Sequence, residues 1–211
     1  MSEIDPILEI YDKQASNYDI MNSFMERIFS KERNIFSLLR GEILEVGVGT
    51  GENLKYYHPS ANITAFDWSP QMIRHAAKKV RYLGFQNIKE FIVGDIQKLD
   101  EYFLPNSFDF VTSTCVFCSV PNPIKGLQKV ARVMKKSGRL VQIEHGISNF
   151  KLLNILMKGF DPITSNMRGF HLTRNIKDNL EKAGFKIIRE WSIDAAGIIR
   201  VVISKLKLSK I

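Results

Sequence analysis

The chain has 211 residues, 45% of them hydrophobic and 25% charged, with a formal net charge of +8. That is enough for one domain with a sizeable core, and no apolar run approaches the roughly 20 residues needed to cross a bilayer. The two cysteines, Cys115 and Cys118, are too few for a disulfide-built secreted scaffold. The net charge fits nucleic acid, an anionic membrane surface or simple solubility, and chooses none of them.

Residues 1–40 read as mostly helical. The stretch from Met1 to Pro6 carries two acids and no apolar core, so no secretory signal is expected there. The expected location is cytoplasmic, with peripheral membrane contact left open. Strand-like runs then follow at 42–46, 63–67, 88–93, 108–114 and 139–144, with helical segments between them. Ser69 with Pro70, and Asn122 with Pro123, have the form of a helix cap followed by proline at the first helical position. The second of these helices places Ile124, Leu127, Val130, Ala131 and Met134 on one face, with Gly138 following its end. Thr173 suits the cap of a last helix running to about Ala183, with Gly184 just past its end. Strand runs at 185–191 and 198–204 close the chain as a hairpin around 194–197.

This order predicts a single α/β domain over 1–211, a Rossmann-like seven-stranded, mainly parallel sheet with an antiparallel last strand and helices on both faces. The final hairpin is expected to form an antiparallel edge. Residues 149–170 form an apolar insertion after the fifth strand.

The strongest signal is Ile43-Leu44-Glu45-Val46-Gly47-Val48-Gly49-Thr50-Gly51, a strand running into a glycine-rich turn. Glycines there permit unusual backbone angles and close approach of a ligand. The spacing is G-x-G-x-G, not the dinucleotide G-x-G-x-x-G. Glu52 falls where a following helix would begin, and an acid there repels the pyrophosphate that a dinucleotide would place at that point. S-adenosylmethionine (SAM) has no phosphate and carries a sulfonium and an ammonium, which Glu45 can favour directly or through water. Asp67 ends the next strand, about 20 residues after the first glycine, where a carboxylate accepts from ribose hydroxyls. Asp95 and Ile96 follow the third strand, placed to meet an adenine. Asp67 as a helix cap and Asp95 as a turn residue are the structural alternatives.

With Phe108-Asp109-Phe110-Val111 and the later Leu127, Arg132 and Gly138, these residues resemble the successive motifs of class I SAM-dependent methyltransferases over residues 11 to about 205. The resemblance implies SAM as cofactor, with contacts from Tyr18, Glu45, Gly47, Gly49, Gly51, Asp67, Met72, Asp95, Ile96 and the backbone near Thr114 and Cys115. Tyr11-Asp12 through Tyr18-Asp19 resembles the N-terminal lid of the quinone and phospholipid branches; a core aromatic is the other reading of Tyr18. The segments 114–123, Glu144-His145, Asp161-Pro162 and 171–174 are similar to the thiol S-methyltransferases called methyltransferase-like family 7. They also resemble bacterial phospholipid N-methyltransferases and, more distantly, quinone C-methyltransferases. The sequence departs from the thiol branch in having no apolar N-terminal anchor.

Methyl transfer asks mainly for proximity and orientation, so no catalytic triad is expected. His145 and His171 are the candidate acceptor-side catalytic residues, each with a hydrogen-bonded structural role as its alternative. Arg174 could hold an acidic acceptor, and a solvated first-turn arginine is its simpler reading. Cys115 and Cys118 read as small buried hydrophobes, and no metal is expected. The expected acceptor is small and apolar-bodied, a thiol or an amine; a phospholipid nitrogen or a quinone ring carbon is the alternative. The insertion over 150–160 either lines that acceptor's pocket, lies on a lipid surface, or packs on the core. A nucleic-acid acceptor is disfavoured, because the loop at 118–123 offers no aromatic to stack on a flipped base and the lysines, Lys205, Lys207 and Lys210 among them, are scattered. A non-catalytic SAM-binding module is the minority reading, and the sequence leaves the oligomeric state open.

Overall fold

Seven strands pair into one sheet in a computed structural model that describes residues 5–207; Lys210 and the first four residues lie outside it. The strands are β1 Gly41–Val46, β2 Ala61–Asp67, β3 Ile88–Val93, β4 Phe108–Thr114, β5 Met134–His145, β6 Phe185–Ser192 and β7 Ile199–Leu206. Their order is β3-β2-β1-β4-β5-β7-β6, with β1 to β5 parallel and β7 antiparallel to both of its neighbours. The antiparallel last strand was expected; its place was not quite. It lies inside the sheet, between β5 and β6, and β6 forms the edge.

Side chains alternate across the sheet and feed two cores. Leu44, Leu140 and Val202 face one layer with Leu127, Val130 and Leu180. Ile43, Val141 and Val201 face the other with Ile73, Ala76 and Phe36. The helices are α1 Pro6–Gln14, α2 Tyr18–Arg33, α3 Pro70–Leu83, α4 Leu99–Tyr102, α5 Pro123–Val133, α6 Lys151–Arg168 and α7 Ile176–Lys182. Ser69 caps α3 through the Met72 N–H and Asn122 caps α5 through the Lys125 N–H, as their sequences predict.

Three local expectations need correction. No α-helix follows the glycine turn; a short 3-10 turn, Leu54–Tyr56, stands there instead. Helix α5 stops at Val133, and Gly138 lies within β5, because Met134 is extended and pairs with Phe108. The last carbonyls of α5 are taken by the N–H groups of Asn106 and Ser107. Finally, Asn175, not Thr173, caps the last helix, accepting from the Asp178 N–H. The N-terminal region is helical from Pro6, broken at Ala15–Asn17 by a 3-10 turn. The insertion forms α6, of which only Met157 is buried, so it does not pack its apolar side on the core.

The sheet order reverses between β1 and β4. In open α/β sheets ligands bind outside the carboxyl ends of the strands at that reversal.

Candidate active site

Two cavities open there, of about 700 Å³ and about 1270 Å³, both including solvent at the mouth. Tyr11, Tyr18, Gly47, Gly49, Thr114 and Cys115 line both, so the two meet at the glycine turn and the end of β4.

The first cavity is walled by residues that end β1, β2, β3 and β4. Gly47 has φ +64°, and a Cβ there would lie 2.4 Å from a methyl of Val116. Gly49 has φ +55° and open space where a side chain would point. Its N–H donates to Asp67 Oδ2 at 2.8 Å, while the Ser69 N–H donates to Oδ1 at 2.9 Å. The Asp67 carboxylate is thus aimed by two backbone bonds and keeps lone pairs for a ligand. Burial pushes it up to about 6 against the pull of those N–H groups. Met72, Asp95 and Ile96 line the same cavity, with Trp68 and Val120. Asp95 also caps the next turn, accepting from the Gln97 N–H at 2.8 Å, so its structural and cavity roles coexist. Among the described residues, no lysine or arginine lines this cavity, and no α-helix points its N-terminus from the glycine turn. Neither feature suits a pyrophosphate.

Glu45 sits apart from both cavities and is fully buried. Its Oε1 accepts from Asn53 Nδ2 at 2.7 Å, and Asn53 also donates to Thr114 Oγ1 at 3.1 Å. Asn53 and Thr114 line the second cavity, so Asn53 stands between the acid and that space. Burial pushes Glu45 up to about 7. Gly51 lies behind the turn, against Ala76 and Leu54.

Helices α1 and α2 cover the site. The Tyr11 hydroxyl bonds Ser119, Asp12 bonds the Ser69 hydroxyl, and Asp19 pairs with Thr50 and Lys79. Burial holds both phenols, Tyr11 and Tyr18, in their neutral form.

The second cavity is apolar on its far side, with Met25, Phe29, Phe170, Leu172, Ile198 and Ile199. His145 lies among them, edge-on to Phe170. Burial lowers it to about 4, so it is uncharged near neutral pH. Cys118 lines this cavity too, and burial pushes both thiols up; both cysteines are free. Cys115 therefore faces both cavities and is not simply a core residue.

His171 lines neither cavity. Its Nδ1 lies 2.8 Å from Asp161 Oδ2, and Asp161 also accepts from the N–H and hydroxyl of Thr173. That places His171 in a loop anchor at the end of α6, away from the acceptor side expected for it. Arg174 is half-buried and donates to the Val120 carbonyl at 3.1 Å, so it is not a solvated surface arginine.

The sequence reading missed Arg33. It is 3% exposed, lines the second cavity, pairs with Glu26 through both terminal nitrogens, and lies over the Phe29 ring. Its Nε has no partner among the described residues. In the sequence it stands in a charged run, Lys31-Glu32-Arg33-Asn34, that reads as a solvated helix end. Among the described residues no group of three or more His, Cys, Asp or Glu side chains could hold a metal.

The profile of a family described as "Methyltransferase domain" matches residues 44–142. The thiol S-methyltransferase TMT1B of Rattus norvegicus is 31% identical over 178 residues, spanning 79% of this chain and 72% of that protein. A phosphatidylethanolamine N-methyltransferase of Cereibacter sphaeroides is 36% identical over 105 residues, 50% of this chain and 51% of that one. A SAM-dependent methyltransferase from Aquifex aeolicus shares the fold, with TM-score 0.68 and 20% identity over 97% of this chain and 100% of that chain.

Proposed function

The chain belongs to the family of class I SAM-dependent methyltransferases, and from that premise we propose that it methylates a small, apolar-bodied acceptor, with a thiol as the first choice. When bound, SAM supplies a methyl group on a sulfonium, already a good leaving group. In this reading the chain's own residues divide the work of holding it. Asp67 accepts from the ribose hydroxyls, Asp95 from the adenine amino group, and Met72, Ile96 and Trp68 pack the ring. Asn53, backed by Glu45, serves the ammonium end, and Arg33 serves the carboxylate.

The observation that carries the proposal is the second cavity, apolar on the side of Met25, Phe29 and Phe170 and joined to the first at Gly47, Gly49, Thr114 and Cys115. An acceptor seated against Met25, Phe29 and Phe170 directs its nucleophile at that junction. Proximity and alignment supply most of the rate. Among the described residues the cavity offers no free carboxylate base, because Glu26 is held by Arg33 and Glu52 by Lys55 and Lys79. His145 is too weakly basic to take a proton from a reluctant donor. These limits favour an acceptor that arrives already nucleophilic. A thiol has a modest thiolate fraction near neutral pH and needs little help. With SAM held in the first cavity, the thiol would give its proton to solvent and its sulfur would take the methyl group, leaving S-adenosylhomocysteine. A ring carbon of a quinone asks for more base than this cavity holds. His145 is left to orient the acceptor by a hydrogen bond.

A phospholipid amine is the second reading, favoured by the apolar, lysine-bearing α6 beside the cavity. No helix among the described residues is long and apolar enough to cross a membrane. S-adenosylhomocysteine production with small alkyl thiols, phosphatidylethanolamine vesicles, a demethylquinone and RNA tests the reading. Thiol turnover insensitive to salt supports it. Turnover only on vesicles, lost at high salt, moves the assignment to the lipid amine, and turnover only on RNA defeats both.

A further inference from the structure

Helix α6 presents its apolar side to solvent. Leu152, Leu156, Phe160, Ile163 and Met167 recur at spacings of three and four, and each is more than half exposed. The opposite side holds Met157, the helix's only buried residue. On α2, Ile20 and Phe24 are 76% and 72% exposed, one turn apart, and the same stripe continues into Arg27 and Lys31. Both helices border the acceptor cavity: α2 through Met25 and Phe29, α6 through Arg168. Exposed apolar stripes of this kind, on two helices that line one cavity, mark an interaction site more often than chance exposure.

Charge says which partner fits. Every acid on the two helices is engaged within the molecule: Asp19 with Lys79, Glu26 with Arg33, Glu32 with the Trp191 indole, and Asp161 with His171 and Thr173. The exposed cations Arg27, Lys31, Lys151, Lys158 and Arg168 have no acidic partner among the described residues. The two helices therefore present apolar stripes together with exposed cations that no acid neutralises among the described residues. We propose that α2 and α6 form a docking surface for an anionic lipid bilayer, with the acceptor cavity opening toward the lipid. Large apolar side chains enter the boundary between headgroups and acyl chains, and lysines and arginines meet the anionic headgroups. An apolar acceptor dissolved in the bilayer then reaches Met25 and Phe29 without crossing water.

The test is binding, so it stands apart from the identity of the acceptor. Co-sedimentation is measured with vesicles of phosphatidylcholine alone and of phosphatidylcholine with phosphatidylglycerol. The wild type should prefer the anionic vesicles by about tenfold or more and lose that preference at high salt. The double variant Leu156→Glu/Phe160→Glu should lose binding to both by about tenfold, with melting temperature and SAM affinity unchanged. Lys151→Glu/Lys158→Glu should lose only the anionic preference. Equal binding by the apolar variant, or no vesicle binding by the wild type, overturns the proposal. So does a dimer in ultracentrifugation that Leu156→Glu/Phe160→Glu turns into a monomer, since a second copy would then cover the face. Vesicle binding without turnover of any thiol would count against the acceptor reading and leave the docking surface standing.

Discussion

The Tyr11 hydroxyl stands 2.6 Å from Ser119 Oγ, which latches α1 to the loop that follows β4. Asp12 and Asp19 add bonds from the same segment to Ser69, Thr50 and Lys79. This segment lines both cavities through Tyr11 and Tyr18, so its order is coupled to a ligand bound there. Residues 5–25 are expected to exchange amide hydrogens faster without SAM than with it, since closure orders them. Tyr11→Phe removes one neutral hydrogen bond, about 0.5–1.5 kcal/mol, and should raise the KM for SAM severalfold while leaving the melting temperature near that of the wild type. Equal protection with and without SAM would contradict a lid.

Asp67 should bind SAM in a pH-dependent way. Its carboxylate is pushed up to about 6, and only the charged form offers both oxygens to hydroxyl donors. SAM affinity should therefore fall as pH drops through about 6. Asp67→Asn should flatten that dependence, and Asp67→Ala should weaken binding by about 1–3 kcal/mol. Calorimetry from pH 5 to pH 8 reads both, with NAD as the competing ligand. A folded Asp67→Ala protein with unchanged SAM affinity, or preferential binding of NAD, would remove Asp67 from the proposed site.

The parts of this site that the sequence displays are those set by local backbone chemistry. Gly47 and Gly49 are glycine because of a positive φ, and for Gly47 a methyl of Val116 where its Cβ would be. Asp67 and Asp95 end or follow strands, and both the cavity and the turn use them. Ser69 and Asn122 cap helices by local bonds. What the sequence hides depends on distant packing. Glu45 reads as acting on the ammonium directly or through water, and the sequence does not show that Asn53 stands in front of it. His171 looks catalytic until Asp161, ten residues earlier, closes on its ring. The apolar period of α6 is plain in the sequence, but periodicity does not say which side faces the protein, and here the apolar side faces out.

Two buried carboxylates should make the fold less stable at alkaline pH. Glu144 accepts from the Ser113 hydroxyl and from the N–H groups of Val116 and Phe117, all on Oε1, and Oε2 has no partner among the described residues. Burial raises it from 4.5 to about 7, as it does Glu45. A carboxyl raised on folding binds its proton more tightly in the native state. Its favourable contribution is complete below about pH 4.5 and is lost as pH rises through about 7. Glu144→Gln keeps the Oε1 acceptor and carries no charge. It should be more stable than the wild type at pH 8 by about 1–3 kcal/mol, and the gap should close by pH 5. Urea unfolding at both pH values measures this, and a gap that does not change with pH would show that Glu144 titrates at its ordinary value.

Arg33 should be read by the carboxylate of SAM. A guanidinium that is 3% exposed is costly to bury unless it is paired, and Glu26 takes its two terminal nitrogens. Nε remains a buried donor without an acceptor among the described residues, and Arg33 lines the second cavity together with the Asn53 and Thr114 proposed for the other end of the same amino-acid moiety. A charged hydrogen bond to a carboxylate there is worth about 1.5–3 kcal/mol, so Arg33→Gln should weaken SAM by about tenfold to a hundredfold. Decarboxylated SAM separates this role from a merely structural one. It should bind the wild type more weakly than SAM does, and Arg33→Gln should not weaken it further. Because Arg33→Gln can also disturb α2, Glu26→Gln gives a second reading. That variant leaves the guanidinium without its internal anion, so the preference for SAM over its decarboxylated analogue should grow. If Arg33→Gln weakens both ligands equally and Glu26→Gln leaves their ratio unchanged, the pair only holds α2 in place, and the carboxylate is bound elsewhere.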